Sequence, residues 1–192
     1  KLAGGIEFLF KKNKVDYIRG VGGLAANGKV EVTDADGNSE LHTTENVLVA
    51  TGCVSRELPF LPFDGKKIIG SREAMNLPEQ PKSITIIGAG AIGIEFASFY
   101  NDMGAEVTVV EMLDRVVPVE DDEVSAFLEK SLTKQGMTIM TGAGVEDIKA
   151  TAKGVTAKIK GKDGKVATQE FTHCITAIGI IPNTEDIGLE KL

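Results

Sequence analysis

Six consecutive residues, Gly88-Ala89-Gly90-Ala91-Ile92-Gly93, and one acid, Glu111, 23 positions beyond the first of them, carry the clearest chemical signal in this sequence. Without a Cβ the backbone can turn tightly at Gly88, approach a pyrophosphate at Gly90, and let a helix pack close to a strand at Gly93. Phosphates held there would face the first N–H groups of that helix, which have no internal partner. Glu111 then stands where a carboxylate accepts the two hydroxyls of an adenosine ribose, and the pattern as a whole predicts a dinucleotide site. A 2′-phosphate beside that carboxylate would meet like-charge repulsion, so NAD is expected over NADP. Arg115 is a cation able to offset the repulsion, but Met112 and Leu113 supply no second one.

The elements that must position these residues are legible around them. Residues 83–87, Ser-Ile-Thr-Ile-Ile, form a β-branched run that reads as a buried parallel strand, and residues 94–103 read as a helix. A second strand is expected over 106–110, ending in Glu111. A glycine turn alone often serves only packing, and a terminal acid alone is often a solvated strand end. It is the order strand, turn, helix, strand, acid that makes the pattern specific.

The chain has 192 residues, 42% of them hydrophobic, enough for one full core and part of a second. No apolar run approaches the ~20 residues that span a bilayer, so no membrane partner is expected. A formal net charge of −7 without a Lys/Arg stripe argues against a nucleic-acid partner, and the pairs Lys11-Lys12 and Lys66-Lys67 read as solvated surface. The acidic run 120–123 is expected to open a helix continuing through Leu132, its charges complementing the helix dipole rather than binding a metal. Cys53 and Cys174 form no CxxC or CxxxxC unit and no disulphide is predicted, which points to a reducing compartment. Cys174 reads as a small buried hydrophobe. His42 and His173, the two histidines, stand near no nucleophile and are expected at the surface or a strand edge.

Three stretches follow along the chain. The first is expected to open with the end of an amphipathic helix over 1–13, then strands at 16–19, 29–33, 40–44 and 47–50, with turns at Asn27-Gly28 and Asp36-Gly37-Asn38. Such an open piece needs something to pack on. A proline-bearing connector occupies 58–81, with a short helical turn at 71–75. The third stretch is a Rossmann-like α/β unit: after Glu111 come a helix over 122–135, a strand at 137–140 and a further element at 145–148. A β-meander follows, 155–160 turning at Lys162-Asp163-Gly164 into 168–171, and a last buried strand at 174–177 runs on to Gly179. Domain limits are expected at 1–57, 58–81, 82–179 and 180–192.

Two further motifs bracket the nucleotide unit, Val47-Leu48-Val49-Ala50-Thr51-Gly52 before it and Ile175-Thr176-Ala177-Ile178-Gly179-Ile180-Ile181-Pro182-Asn183-Thr184 after it. With the glycine loop and Glu111 between them, the sequence resembles the flavin-dependent pyridine nucleotide-disulphide oxidoreductases over essentially its whole length. Through Lys11-Lys12-Asn13-Lys14-Val15, Gly88 to Glu95, Val110-Glu111-Met112 and Pro182-Asn183-Thr184-Glu185 it is most similar to the dihydrolipoyl dehydrogenase branch.

The resemblance implies a partial FAD domain before Gly52 and again after Gly179, interrupted by an NAD domain. For FAD it implies Gly22, in a Gly20-Val21-Gly22 turn, and Thr51, Gly52 and Cys53; an ordinary hairpin glycine is the alternative for Gly22. For NAD it implies Gly88, Ala89, Gly90, Ala91, Ile92, Gly93, Glu95, Glu111, Val145 against the adenine and Gly179 on the nicotinamide side. Core filling is the alternative for Val145, and a surface glutamate for Glu95, whose family role is support on the flavin side. The family reaction oxidises a protein-bound dihydrolipoamide through a redox-active disulphide and FAD, with hydride passing to NAD. The implied partners of the parent are a second copy of itself, as a homodimer, and the lipoyl domain of a 2-oxo acid dehydrogenase complex or of the glycine cleavage system. The implied location is the cytoplasm, or alternatively the mitochondrial matrix.

The CxxxxC disulphide, the first FAD phosphate loop and a His-Glu acid/base pair are not found in this sequence, and Ile180 stands where the family often has arginine. An excised part of the larger enzyme, inactive by itself and with no catalytic residue of its own, is therefore expected. The alternatives are a stand-alone, non-catalytic NAD-binding module and part of another NADH-dependent flavoprotein such as an NADH oxidase.

Overall fold

In a computed structural model, described for residues 2–26 and 28–192, the chain divides into two compact units. The first comprises Lys1–Gly52 with Pro182–Leu192, the second Cys53–Ile181. Lys1 and Asn27, which belong to the helix and the turn expected from the sequence, lie outside the described residues.

The first unit opens with α1 (Leu2–Lys12), whose side chains are all exposed or nearly so. It continues with an antiparallel sheet of β1 (Val21–Ala26), β2 (Lys29–Thr33) and β3 (Ser39–Thr43), in that order. The turn between β2 and β3 is set by Asp34, whose Oδ1 accepts the N–H groups of Asp36 at 2.9 Å and Asn38 at 2.8 Å while Gly37 takes φ +86. A 3-10 turn (Leu189–Lys191) closes this unit against β1, with the Leu24 N–H donating to the Ile187 carbonyl at 2.7 Å. Leu24 is the one buried apolar side chain among its described residues.

Three expectations are corrected here. Residues 16–19 and 47–50 are not strands, because no neighbouring strand pairs with either among the described residues, and β-propensity without a ladder leaves an irregular backbone. The expected turn at Gly20-Val21-Gly22 is instead the start of β1, where Gly22 lies opposite Val32 in register.

The second unit begins with β4 (Cys53–Ser55), β5 (Ile68–Ile69) and α2 (Ser71–Ala74). The glycine-loop unit follows as β6 (Ser83–Ile87), α3 (Ala91–Asp102) and β7 (Glu106–Val110). The helix thus starts three residues earlier than expected, directly on Gly90 as its N-cap. Then come α4 (Asp122–Lys134) and β8 (Thr138–Met140). The acidic run opens α4 as anticipated: Asp121 is the N-cap and accepts the Glu123 N–H at 2.8 Å, while Asp122 and Glu123 sit in the first turn.

The meander is β9 (Gly144–Ala150), β10 (Val155–Lys160) and β11 (Val166–Phe171), antiparallel throughout, and the chain returns through β12 (His173–Thr176) to β13 (Ile180–Pro182), which pairs with β4. The main sheet has the order β5-β12-β6-β7-β8 and is parallel at every pairing. This is the Rossmann-like α/β sheet with an added β-meander that the sequence predicts. Alternate residues of its strands feed two cores. Ile84, Ile86, Val107, Val109 and Ile175 face α3, while Ile87, Val110 and Cys174 face the meander, where Val155, Ala157 and Ile159 meet them. Tyr100 of α3 is buried with its hydroxyl donating to the Ala74 carbonyl at 2.5 Å, so no polar atom is stranded where α3 meets α2.

Candidate functional site

The sheet order places the connection from β6 to β7 on one side and β12 on the other, so β6 and β12 straddle the point where the winding reverses. Open α/β sheets bind ligands beyond the carboxyl ends of the strands at that point. There, within the second unit, lies a cleft of about 650 Å³. It is lined by the loop after β6, the end of β7, the start of β9, the segment after β12, and residues 56–61 after β4.

The three glycines of the loop answer to three different constraints. Gly88 takes φ +100, and a Cβ there would stand 2.5 Å from the Ala177 carbonyl oxygen, so the turn runs against the end of β12. At Gly93 a Cβ would meet the Gly88 carbonyl oxygen at 1.9 Å, which fixes how closely α3 can sit on the loop. Gly90 differs from both: its φ is −70 and a Cβ would meet nothing within 4 Å. The protein itself gives no steric reason for glycine at this position, and the open space in front of it is the cleft.

Glu111 directly follows β7, lines this cleft and is 8% exposed. Its Oε2 accepts the Ala89 N–H at 2.6 Å and its Oε1 accepts the Leu113 N–H at 2.8 Å. A carboxylate oxygen has two lone-pair sites, so each oxygen keeps one free for a further donor. Beside it Met112 and Leu113 are exposed, and Arg115 turns away to donate to the Pro118 carbonyl at 2.9 Å and to pair with Asp122.

Of the residues singled out from the sequence, Gly88, Gly90, Ala91, Ile92, Glu111, Val145 and Gly179 line the cleft. Ala89 is wholly buried beneath the loop, Gly93 is packed as described, and Glu95 is exposed on α3 outside the lining. Val145 both borders the cleft and packs on the meander core, so the two readings of it are compatible. Gly179 takes φ +125, and its carbonyl accepts the Arg56 N–H at 2.9 Å.

The residues implied for FAD are distributed as follows. Gly22 lies in β1, and Thr51 and Gly52 (φ +79) are closed onto Asn183 within the first unit. There the Thr51 hydroxyl donates to the Asn183 carbonyl at 2.5 Å, the Asn183 side-chain amide to Thr51 O at 3.1 Å, and the Asn183 N–H to Gly52 O at 3.0 Å. Cys53 opens β4 and is exposed.

Sequence reasoning did not anticipate that the cleft would be walled by Arg56, just after β4, and by Leu58, Phe60 and Leu61 of the connector. Prolines at 59 and 62 marked a boundary, but nothing in their spacing says which face the intervening apolar residues take.

Outside the cleft, Cys174 is fully buried in β12, and burial pushes its thiol up to about 12. The neighbouring His173 is half-buried, and its imidazole is held below the ordinary value by that burial and by the nearby Lys67, with Asp64 opposing. Among the described residues no cluster of three or more His, Cys, Asp or Glu side chains is arranged to hold a metal, and no helix is long and apolar enough to cross a membrane.

A parallel sheet wound in this order, with a glycine turn and a cleft at its carboxyl edge, defines the Rossmann-like class. The chain belongs to the pyridine nucleotide-disulphide oxidoreductase family, whose family model matches residues 1–192. It is 44% identical over 192 residues to a dihydrolipoyl dehydrogenase of Zymomonas mobilis, covering 100% of this chain and 41% of that protein. It is 40% identical over 192 residues to dihydrolipoyl dehydrogenase 3 of Pseudomonas putida, again over 100% of this chain and 41% of the relative. Among solved structures, LpdA from Mycobacterium tuberculosis superposes with a TM-score of 0.82 at 31% identity, over 98% of this chain and 42% of that one. The flavoprotein disulfide reductase RclA from Escherichia coli gives 0.74 at 25% identity, over 97% and 43%. The chain thus spans about two fifths of the length of the curated relatives it matches.

Proposed function

We propose that the second unit binds NAD in the cleft above β6 and β12, as the NAD-binding part of a dihydrolipoyl dehydrogenase. The observation that carries this reading is Gly90: it caps α3, faces the cleft, and lacks a Cβ for no reason internal to the protein. A pyrophosphate fits that cradle, held by the N–H groups of the first turn of α3. The free lone pairs of Glu111 take the ribose hydroxyls, Val145 lies against the adenine, and Gly179 borders the nicotinamide end. NAD is preferred to NADP because a 2′-phosphate would face the Glu111 carboxylate, while Arg115 is already engaged with Pro118 and Asp122.

The first unit is read as a segment of an FAD domain, with Gly22, Thr51 and Gly52 toward the flavin nucleotide; of the second unit, Cys53 is read in the same role and Glu95 as flavin-side support. The single buried apolar side chain among the first unit's described residues supports this reading, since so thin a core needs more surface to pack on. When bound, FAD and NAD supply the hydride chemistry; this chain supplies position and selectivity. In the parent enzyme the electrons come from the dihydrolipoamide of a lipoyl domain belonging to a 2-oxo acid dehydrogenase complex or the glycine cleavage system, by way of a redox disulphide. Cys174 is buried and Cys53 is distant in sequence, so the 192-residue chain alone is expected not to reduce NAD with dihydrolipoamide. Titration with NAD and with NADP tests the site, and an assay for dihydrolipoamide-dependent NAD reduction tests the predicted inactivity.

A further inference from the structure

The Ala89 peptide at the heart of the glycine loop is held from both sides. Its N–H is taken by Glu111, and its carbonyl accepts the Val117 N–H at 2.8 Å. Val117 reaches that position with φ +39, a left-handed backbone that a β-branched residue rarely adopts. Such a conformation persists only where its surroundings enforce it, and here they can be named. The Val117 carbonyl accepts the Glu120 N–H at 2.9 Å and the buried Ser125 hydroxyl at 3.4 Å. The Arg115 guanidinium spans the same turn, donating to the Pro118 carbonyl and pairing with Asp122 in the first turn of α4. The Val117 side chain itself is buried in the core shared with α3.

We infer that Arg115 is a positioning residue for the dinucleotide loop: by clamping the turn before α4 to Asp122, it holds Val117 in its left-handed conformation and thereby fixes the Ala89 peptide. The loop is then rigid before any ligand arrives, with Gly90 presented to the cleft, so less ordering remains to be done on binding. This rests on the reading of the cleft as a nucleotide site.

Glycine adopts φ +39 without strain, whereas alanine truncates the side chain almost as far and leaves the strain in place. Arg115→Ala should therefore act differently in the two backgrounds Val117→Gly and Val117→Ala. The two readouts are the exchange rate of the Val117 amide in the ligand-free protein and the dissociation constant for NAD. In the wild-type and Val117→Ala backgrounds, Arg115→Ala should speed amide exchange and weaken NAD binding about three- to tenfold. With Val117→Gly both effects should disappear. If the losses are the same in all three backgrounds, or if Arg115→Ala changes neither readout, the inference is overturned. The exchange readout needs no nucleotide, so a wild-type protein that shows the predicted exchange pattern but binds no NAD supports the clamp and refutes the nucleotide reading. Should Arg115→Ala fail to fold, Arg115→Gln removes the ion pair with Asp122 and carries the same comparison.

Discussion

Glu111 and Ala89 are joined by a 2.6 Å hydrogen bond from the Ala89 N–H to the Glu111 carboxylate, so the acid expected to read the ribose also secures the loop expected to bind the pyrophosphate. Two roles on one side chain make the outcome of removing it specific. Glu111→Ala should weaken NAD binding by roughly 10- to 100-fold, since hydrogen bonds to a charged group are worth about 1.5–3 kcal/mol each. It should not produce a corresponding gain for NADP, because the loop loses its tie at the same time as the repulsive charge. Calorimetric titration of both nucleotides against the variant checks this; a clean switch to NADP would show that the Ala89 bond does not matter.

The loop glycines should separate into two classes. Gly90→Val places its side chain in open space, so the melting temperature should stay close to that of the wild type while NAD binding is abolished. Gly93→Ala forces a Cβ toward the Gly88 carbonyl oxygen and should lower thermal stability measurably, with overpacking costs of about 1–3 kcal/mol or more. Thermal melts and titrations on the two variants should therefore show opposite patterns.

Thiol chemistry should distinguish the cysteines. Cys53 is exposed, and Cys174 is buried with its thiol pushed up to about 12, so one thiol should react rapidly with a chromogenic disulphide in the folded protein and the second only after denaturation. Two fast-reacting thiols in the native state would contradict the packing of β12 between β5 and β6.

Histidine 173 predicts a pH dependence. Its imidazole is held below the ordinary 6.5 by burial and by Lys67, so the unfolded state binds the proton more readily than the folded one. The stabilisation is fully present above pH 6.5 and is lost as pH falls through that value toward the folded pKa. Denaturant midpoints at pH 7.5 and pH 5.5 should differ less in a His173→Asn variant than in the wild type.

How far the fold was legible follows from where its information is stored. The strands β6, β7 and β10 announce themselves through local β-branched composition or alternation, and α4 through an acidic N-terminus ahead of an amphipathic run. By contrast β1 is hidden by Gly22 and Gly23, since its stability comes from pairing with Lys29–Thr33 rather than from its own propensity. The two-residue β5 is templated by the longer β12, and the short β4 exists only through pairing with the equally short, distant β13. Residues 47–50 show the converse, with strand composition and no ladder among the described residues.

In the candidate site, the glycines and Glu111 were readable because glycine and charge are individually costly in a strand-helix junction. The two backbone amides that engage Glu111, and the left-handed Val117 that holds Ala89, were not readable. The Ala89–Glu111 bond joins residues 22 apart and the Val117–Ala89 bond joins two backbones still farther apart in sequence, while the short Glu111–Leu113 bond is one of several a carboxylate can make, so none leaves a periodic trace.

The most direct test is a titration of the protein with NAD and NADP under identical conditions. Saturable binding of NAD, at least about tenfold weaker binding of NADP, and loss of the NAD signal in Gly90→Val are expected. Equal affinities for the two nucleotides, or unchanged NAD binding in the valine variant, would contradict the reading of the cleft as an NAD site.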